Sequence, residues 1–351
     1  MPDRQRIILD TDIGYLNDDS IALAVLLGSE DVDLLGVAVV AGNFDHDQEV
    51  VDGLSMLERL GRTEVPLWRG AVQPLVHERG PYEERGWGRF ATFPELDYPL
   101  GRPPAIDAAP LRAAAALQVA AREHPGEVTV LAIGPLTNLA IAFALDPELP
   151  ALLRRVVIMG GSAVSFAGGA GNVTPTAEFN FWVDPEAAAA VLRAPVEKLL
   201  VPLNATRQVG YTADFHRAAT SGDGGSARML RERMAGFFDE GTDDRSVANF
   251  SHYGLTDSTA VIAALRPELF DIRRMTVQID LSHGPAYGTS YLYRPGDLDE
   301  AKVANADGVW DAFVQPHRLV GGVSSPFEVD VALFCDADAV RAECLTRLAG
   351  V

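Results

Sequence analysis

Four aspartates, Asp10, Asp12, Asp18 and Asp19, are crowded into the stretch "ILDTDIGYLNDDSIALAVLL" that begins at residue 8. Carboxylates this close repel one another unless a cation or a proton offsets the charge. In the plainer reading Asp18 and Asp19 open a helix, whose dipole favours negative charge there, and the other two are solvated. That accounts for Asp18 or Asp19 singly and poorly for four converging groups. The sharper reading is a hard-cation site. Calcium takes about six to eight oxygen ligands, and magnesium about six in stricter geometry. Asp12 and Asp19 would supply part of such a shell, leaving Asp10 or Asp18 for other work.

The elements around the cluster would place it at the carboxyl end of a strand. Arg6–Leu9 is a short apolar run, as are "VDLLGVAVV" from Val32, "VTVLAI" from Val128, "RVVIMGG" from Arg155 and "KLLVPL" from Lys198. β-branched runs without alternation suit strands covered on both faces. Ala- and Leu-rich stretches between them, Ser20–Leu27, Glu49–Leu60, Ala108–Arg122, Leu136–Leu145 and Pro185–Leu192, read as helices. The alternation predicts an α/β fold with an open, mostly parallel sheet and helices on both faces, Rossmann-like in layout. Sites in such sheets form at the carboxyl ends of the strands, where Asp10 and Asp12 fall. Beyond Tyr211 the pattern shifts to peripheral helices over 211–265, a pair of strands in "MTVQIDLSH" and "TSYLYRPG", and a final strand and helix from "FEVDVALF". The whole, 1–351, reads as one domain. Residues 80–99 have no periodicity and fit a flap or an ordered surface loop.

Composition removes several classes of partner. The chain of 351 residues is 48% hydrophobic and carries a formal net charge of −20, the sign opposite to that needed for nucleic acid or an anionic membrane. No apolar segment approaches the length of a membrane helix, and the start "MPDRQRIILD" has no apolar leader region. A cytoplasmic protein is expected. Cys335 and Cys344 lack disulfide-framework or metal-ligand spacing and read as idle thiols.

Longer motifs narrow the choice. The first motif has the form Asp-Thr-Asp-x-Gly-x-x-x-Asp-Asp. "AIGPLTNLAIAF" (Ala132–Phe143), "IMGG" (Ile158–Gly161), "GNVTPTAEFNFWVDPEAA" (Gly171–Ala188), "VPLNATRQV" (Val201–Val209) and "LTDSTAVIAALRPELF" (Leu255–Phe270) follow it. Together they resemble the inosine–uridine-preferring nucleoside hydrolase family, from about Ile7 to the end, most weakly over Pro74–Pro104 and Asp297–Ser325. Phosphatases of the haloacid-dehalogenase type also begin with a strand and Asp-x-Asp, which would make Asp10 a nucleophile. Gly14 stands where they carry Thr or Val, and the Asp18–Asp19 pair has no place in that scheme.

The resemblance implies one Ca²⁺ and hydrolysis of the N-glycosidic bond of a ribonucleoside, releasing base and ribose through an oxocarbenium-like transition state. It implies metal ligation by Asp12, Asp19, Asp257 and the main-chain carbonyl of Thr137, with Asp12 as the base that takes a proton from a calcium-bound water. "GPLTN" reads equally as a turn opening a helix. Asp18 and Asn180 would hold the 2′-hydroxyl, Asp257 the 3′-hydroxyl, and Asn172 and Glu178 the 5′-hydroxyl, with Met159 beneath the sugar and Asn43 at its edge. Asn43 and Asn172 also suit turns, since each follows a glycine. Glu178 and Asn180 alternate with apolar residues in "AEFNFWV", which predicts an extended segment with both on one side. Asp10 would orient Asp12 or the helix. The family resemblance further implies a homodimer or homotetramer.

One departure stands out. Many members carry His immediately before the last metal-binding Asp, and here that residue is Thr256, which cannot act as a general acid near neutral pH. His252 stands nearby. Aromatic stacking on the base is another route, with Trp87 in the flap-like segment as first candidate and Trp182 and Phe166 behind it. The substitution also leaves open a nucleoside-binding or sensory protein with little turnover, or a hydrolase of a modified N-riboside.

Overall fold

The computed structural model describes residues 4–76, 98–233, 254–294 and 327–351. Its framework is one ten-stranded sheet. In chain order the strands are β1 (Gln5–Thr11), β2 (Val32–Val39), β3 (Leu67–Arg69), β4 (Ala109–Arg112), β5 (Val128–Ala132), β6 (Arg155–Met159), β7 (Lys198–Val201), β8 (Phe270–Ile279), β9 (Ser290–Tyr293) and β10 (Phe327–Cys335). They lie in the order β4-β3-β2-β1-β5-β6-β7-β10-β8-β9. All neighbours from β4 to β10 pair in parallel, and β8 and β9 close one edge antiparallel.

The helices among the described residues are α1 (Asp18–Leu27), α2 (His46–Arg59), α3 (Ala113–Glu123), α4 (Thr137–Leu145), α5 (Leu149–Leu152), α6 (Phe179–Val183), α7 (Pro185–Arg193), α8 (Leu203–Thr206), α9 (Ala213–Ala219), α10 (Gly225–Arg233), α11 (Thr256–Leu265) and α12 (Ala337–Leu348). They cover the sheet on both sides, and the strand period of two shows how. In β1, Ile7 and Leu9 join the core formed with α1, α2, α11 and α12, whereas Ile8 joins the core formed with α3, α4 and α7. Each such side chain, fully buried, contributes roughly 1.5–3 kcal/mol relative to exposure.

Four local expectations need correction. The alanine-rich run from Ala108 begins as the edge strand β4, and its helix starts only at Ala113. The helix α2 begins at His46, three residues ahead of Glu49, because Asp45 caps it by accepting from Asp47 N at 3.0 Å. Residues 179–183 are the short helix α6, not an extended segment. Finally, α11 is not peripheral. Its residues from Asp257 to Leu265 are all buried, against α1 and the sheet.

The chain leaves β1 toward β2, β3 and β4 on one side and resumes at β5, β6 and β7 on the other. The reversal puts a crevice outside the carboxyl ends of β1 and β5, the place where open α/β sheets take ligands. Among the described residues no helix is long and apolar enough to cross a membrane.

Candidate functional site

The opening motif lies in that crevice. β1 delivers Asp10, and Asp12 follows at its end, both almost fully buried. The loop after them turns through Leu16, at a positive φ of 63°, and enters α1. Asn17 caps that helix by accepting from Ser20 N at 3.1 Å, which leaves Asp18 and Asp19 in the first turn.

Asp12 sits between two glycine backbones. A Cβ on Gly42 would meet its Oδ2 at 2.1 Å, and one on Gly134 would meet its Oδ1 and its backbone N at 2.8 Å. Asp12 Oδ2 is buried with no hydrogen-bond partner among the described residues. Burial, reinforced by Asp19, Glu49 and Asp18, pushes this carboxyl well above the usual range.

Asp19 is held on both oxygens. Thr11 Oγ1 donates to Oδ1 at 2.5 Å, Asn17 Nδ2 donates to Oδ2 at 2.7 Å, and Asn43 Nδ2 donates to Oδ2 at 3.2 Å. Asn43 also donates to the Asp12 carbonyl at 3.2 Å, so it ties the end of β2 to both aspartates. Burial and then Asp18 push the Asp19 carboxyl up to about 7.

Asp257 reaches the same place from the first turn of α11. Carboxylate oxygens of Asp18, Asp19 and Asp257 all lie within 4.8 Å of one another. Burial, Asp18, Asp19, Asp12 and Glu178 together raise the Asp257 carboxyl well above the usual range. This set offers only hard oxygen donors, the kind that suit calcium, magnesium or manganese. The tightest grouping contains Asp18, with Asp12 set beside it.

The other wall is built from β6 and α6. Met159 ends β6 and is buried. Asn180 Nδ2 donates to the Met159 carbonyl at 3.1 Å, to its Sδ at 3.4 Å and to the Ile133 carbonyl at 2.8 Å. Glu178 caps α6. Its Oε1 accepts from Asn180 N at 2.8 Å, and its Oε2 accepts from Gly161 N at 2.8 Å and Phe181 N at 3.1 Å. Burial raises this carboxyl to about 7 in spite of those bonds. Asn172 Oδ1 accepts from Phe179 N at 2.9 Å, joining the preceding loop to the same helix.

Thr137 opens α4 with its hydroxyl engaged, donating to Asp184 Oδ2 at 2.6 Å. Next to it, Asn138 Nδ2 donates to Asp10 Oδ1 at 3.2 Å, while Asn138 Oδ1 accepts from Ala71 N at 2.7 Å. Asp10 thus braces β1 against α4 and the loop at Ala71, and burial pushes its carboxyl up to about 8.

Thr256 is half-buried and is the first residue of α11. Trp87 and His252 lie outside the described residues, as does most of the segment 80–99. Trp182 is buried in a small cluster with Ala177 and Val183, and Phe166 packs against the core formed with α3, α4 and α7. Sequence reasoning passed over Thr11, Asn17, Glu49, Asn138 and Asp184. Asn17 had a local signal, an N-cap residue directly before an acidic first turn. The others are recognised only by contacts between segments far apart in the chain.

Comparison with known proteins agrees with this geometry. The profile of the inosine-uridine preferring nucleoside hydrolase family matches residues 7–341. Pyrimidine-specific ribonucleoside hydrolase RihB of Shigella sonnei (strain Ss046) is 30% identical over 323 residues, covering 88% of this chain and 95% of that protein. RihB of Escherichia coli (strain SE11) is 31% identical with the same coverage. Among solved structures, the plant nucleoside hydrolase PpNRh1 superposes with a TM-score of 0.74 at 26% identity, covering 98% of each chain. An inosine-guanosine nucleoside hydrolase shares the fold with a TM-score of 0.73 at 24% identity, covering 99% of each chain. The class thus defined is an N-glycosyl hydrolase on an open α/β sheet. The chain belongs to the inosine-uridine preferring nucleoside hydrolase family, whose members are metal-dependent ribonucleoside hydrolases.

Proposed function

We propose that this protein hydrolyses the N-glycosidic bond of ribonucleosides, holding one Ca²⁺ through Asp12, Asp19, Asp257 and the Thr137 carbonyl. The observation that carries the reading is the convergence of Asp18, Asp19 and Asp257 within 4.8 Å, beside the buried and unpartnered Oδ2 of Asp12. A buried set of like charges is costly unless a cation offsets it, and the donors present are those calcium takes.

When bound, the ion would supply Lewis acidity that makes water a stronger acid. Asp12 would take the proton of the attacking water from its slot between Gly42 and Gly134. Asp18 and Asn180 would hold the 2′-hydroxyl, Asp257 the 3′-hydroxyl, and Asn172 and Glu178 the 5′-hydroxyl, with Met159 under the ring and Asn43 at its edge. Cationic character that develops on the ribose would be stabilised by these carboxylates in a site of low dielectric. Asp10 would keep β1 in place through Asn138. Pyrimidine ribonucleosides head the candidate substrates, since the two RihB relatives carry that specificity in their names.

A second reading, a nucleoside-binding protein with little turnover, rests on Thr256, which offers no acid to the leaving base. The two separate in one experiment. Uridine, cytidine, inosine and adenosine are incubated with the protein in phosphate-free buffer with calcium, and the products are resolved by chromatography. Free base and ribose in equal amounts support the hydrolase. Retained nucleoside with no sugar released supports the binding protein.

A further inference from the structure

Glu49 lies in α2, outside the set of residues that reach toward the ribose, yet it is completely buried at the back of the site. Its Oε1 accepts from Gly42 N at 3.1 Å and from Phe44 N at 2.8 Å. Those two N–H groups flank Asn43, whose amide bonds the Asp12 carbonyl and Asp19 Oδ2. Gly42 itself presses on the Asp12 carboxylate so closely that a Cβ there would lie 2.1 Å from Oδ2. One carboxylate therefore fixes the loop that contacts Asp12 twice, at its main chain and at its side chain, and Asp19 once.

We propose that Glu49 is the positioning residue of this site, clamping the Gly42–Phe44 turn so that Asp12 and Asp19 keep the spacing that the ion and the attacking water require. This rests on the hydrolase reading above. Loops ordinarily find their hydrogen bonds in water or in their own backbone, whereas this one is fastened from beneath by a wholly buried carboxyl group whose other oxygen, Oε2, has no hydrogen-bond partner among the described residues. Groups that orient metal ligands from behind typically cost about 10- to 100-fold in affinity or activity when removed.

The test separates reach from charge. Glu49→Gln keeps an acceptor oxygen at the same distance and cannot ionise. Glu49→Asp keeps the ionisable carboxyl and shortens the arm by one methylene. Glu49→Ala removes both. Each variant is compared with the wild-type chain for kcat and KM on uridine and for calcium affinity by direct titration of the metal-free protein, with melting temperature as the control for folding. The expected result is a fall in kcat of about 10- to 100-fold and a calcium Kd raised about tenfold for Ala and Asp, with KM changed much less and Gln recovering most of the loss. A lower melting temperature with kcat per folded molecule and calcium Kd unchanged would reduce Glu49 to a structural residue and overturn the proposal. Failure of Gln to recover what Asp loses would also overturn it, since charge and not reach would then matter. If Glu49→Ala does not fold, the Gln and Asp pair still decides. A wild-type chain that neither binds calcium nor releases ribose would sink the hydrolase reading together with this one, whereas active, chelator-sensitive wild type with unaffected variants sinks this one alone.

Discussion

Thr137 donates its hydroxyl to Asp184 Oδ2 across 2.6 Å, although the two residues are 47 apart in the chain. Asp184 also caps α7 by accepting from Ala187 N at 3.0 Å and holds Leu75 N at 2.9 Å, so one buried carboxylate joins α4, α7 and the loop that leaves β3. Its replacement by alanine removes a helix cap and leaves the buried Thr137 hydroxyl without its acceptor. Asp184→Ala should lower the unfolding free energy by about 2–4 kcal/mol, the sum of a cap and one unsatisfied buried donor. Urea denaturation measures this directly, and a loss below about 0.5 kcal/mol would mean that the three elements do not depend on the carboxylate.

The acidic cluster makes metal binding visible as stability. A ligand that binds only the folded chain adds about 2.7 kcal/mol at a hundredfold excess over its Kd. Calcium should raise the melting temperature of chelator-treated protein, and Asp257→Asn, which removes one of three converging carboxylates, should blunt the shift. An equal shift in the variant would place the ion elsewhere.

Gly42 offers a steric test. A Cβ there would lie 2.1 Å from Asp12 Oδ2, so Gly42→Ala must displace the carboxylate or the loop. Misplacing a reacting group by about 1 Å can cost about a hundredfold in rate. The variant should fold and lose at least about tenfold in kcat. Gly222→Ala, where nothing lies within 4 Å of the added carbon, serves as the control with wild-type rate. Full activity in Gly42→Ala would show that Asp12 is not where the chemistry happens.

The pH dependence follows from Glu178, whose carboxyl burial raises from the ordinary 4.5 to about 7. The folded chain then binds this proton more tightly than the unfolded chain does. Stability from this group is fully present below about pH 4.5, and is lost as pH rises toward about 7, after which the dependence levels off. Metal-free protein should therefore lose stability between pH 5 and pH 8. Glu178→Gln, which cannot titrate, should show a shallower slope over the same range in urea denaturation, whatever its absolute stability. Identical slopes would assign the dependence to other groups.

Much of the fold and part of the site are legible in the sequence. β1, β2, β5 and β6 are legible as short apolar runs because both their faces are covered, and the order of elements puts Asp10 and Asp12 at the carboxyl end of β1. β3 and β4 are not, since they have only three and four residues, and β4 runs directly into an alanine-rich helix. In "AEFNFWV" an apolar run with two polar positions fits either period. The bonds that Asn180 N and Phe181 N donate to the Glu178 carboxylate make it a capped helix. The clamp of Glu49 on Gly42 and Phe44 has the spacing of an ordinary surface pair, and only the burial of α2 gives it meaning. The contact of Asn138 with Asp10 joins the first turn of α4 to the end of β1 and leaves no mark in local sequence. Trp182, one of the aromatic candidates for stacking on a base, proved to be core.

The central claim is that carboxylates gathered at the ends of β1 and α11 hold calcium for hydrolysis of a ribonucleoside. Its most direct test is the rate of reducing-sugar release from uridine and inosine by the full chain, measured as purified, after chelation, and after calcium is restored. The account predicts release that stops on chelation and returns with calcium. Release that continues unchanged in the metal-free protein, with the chain still folded, would contradict it.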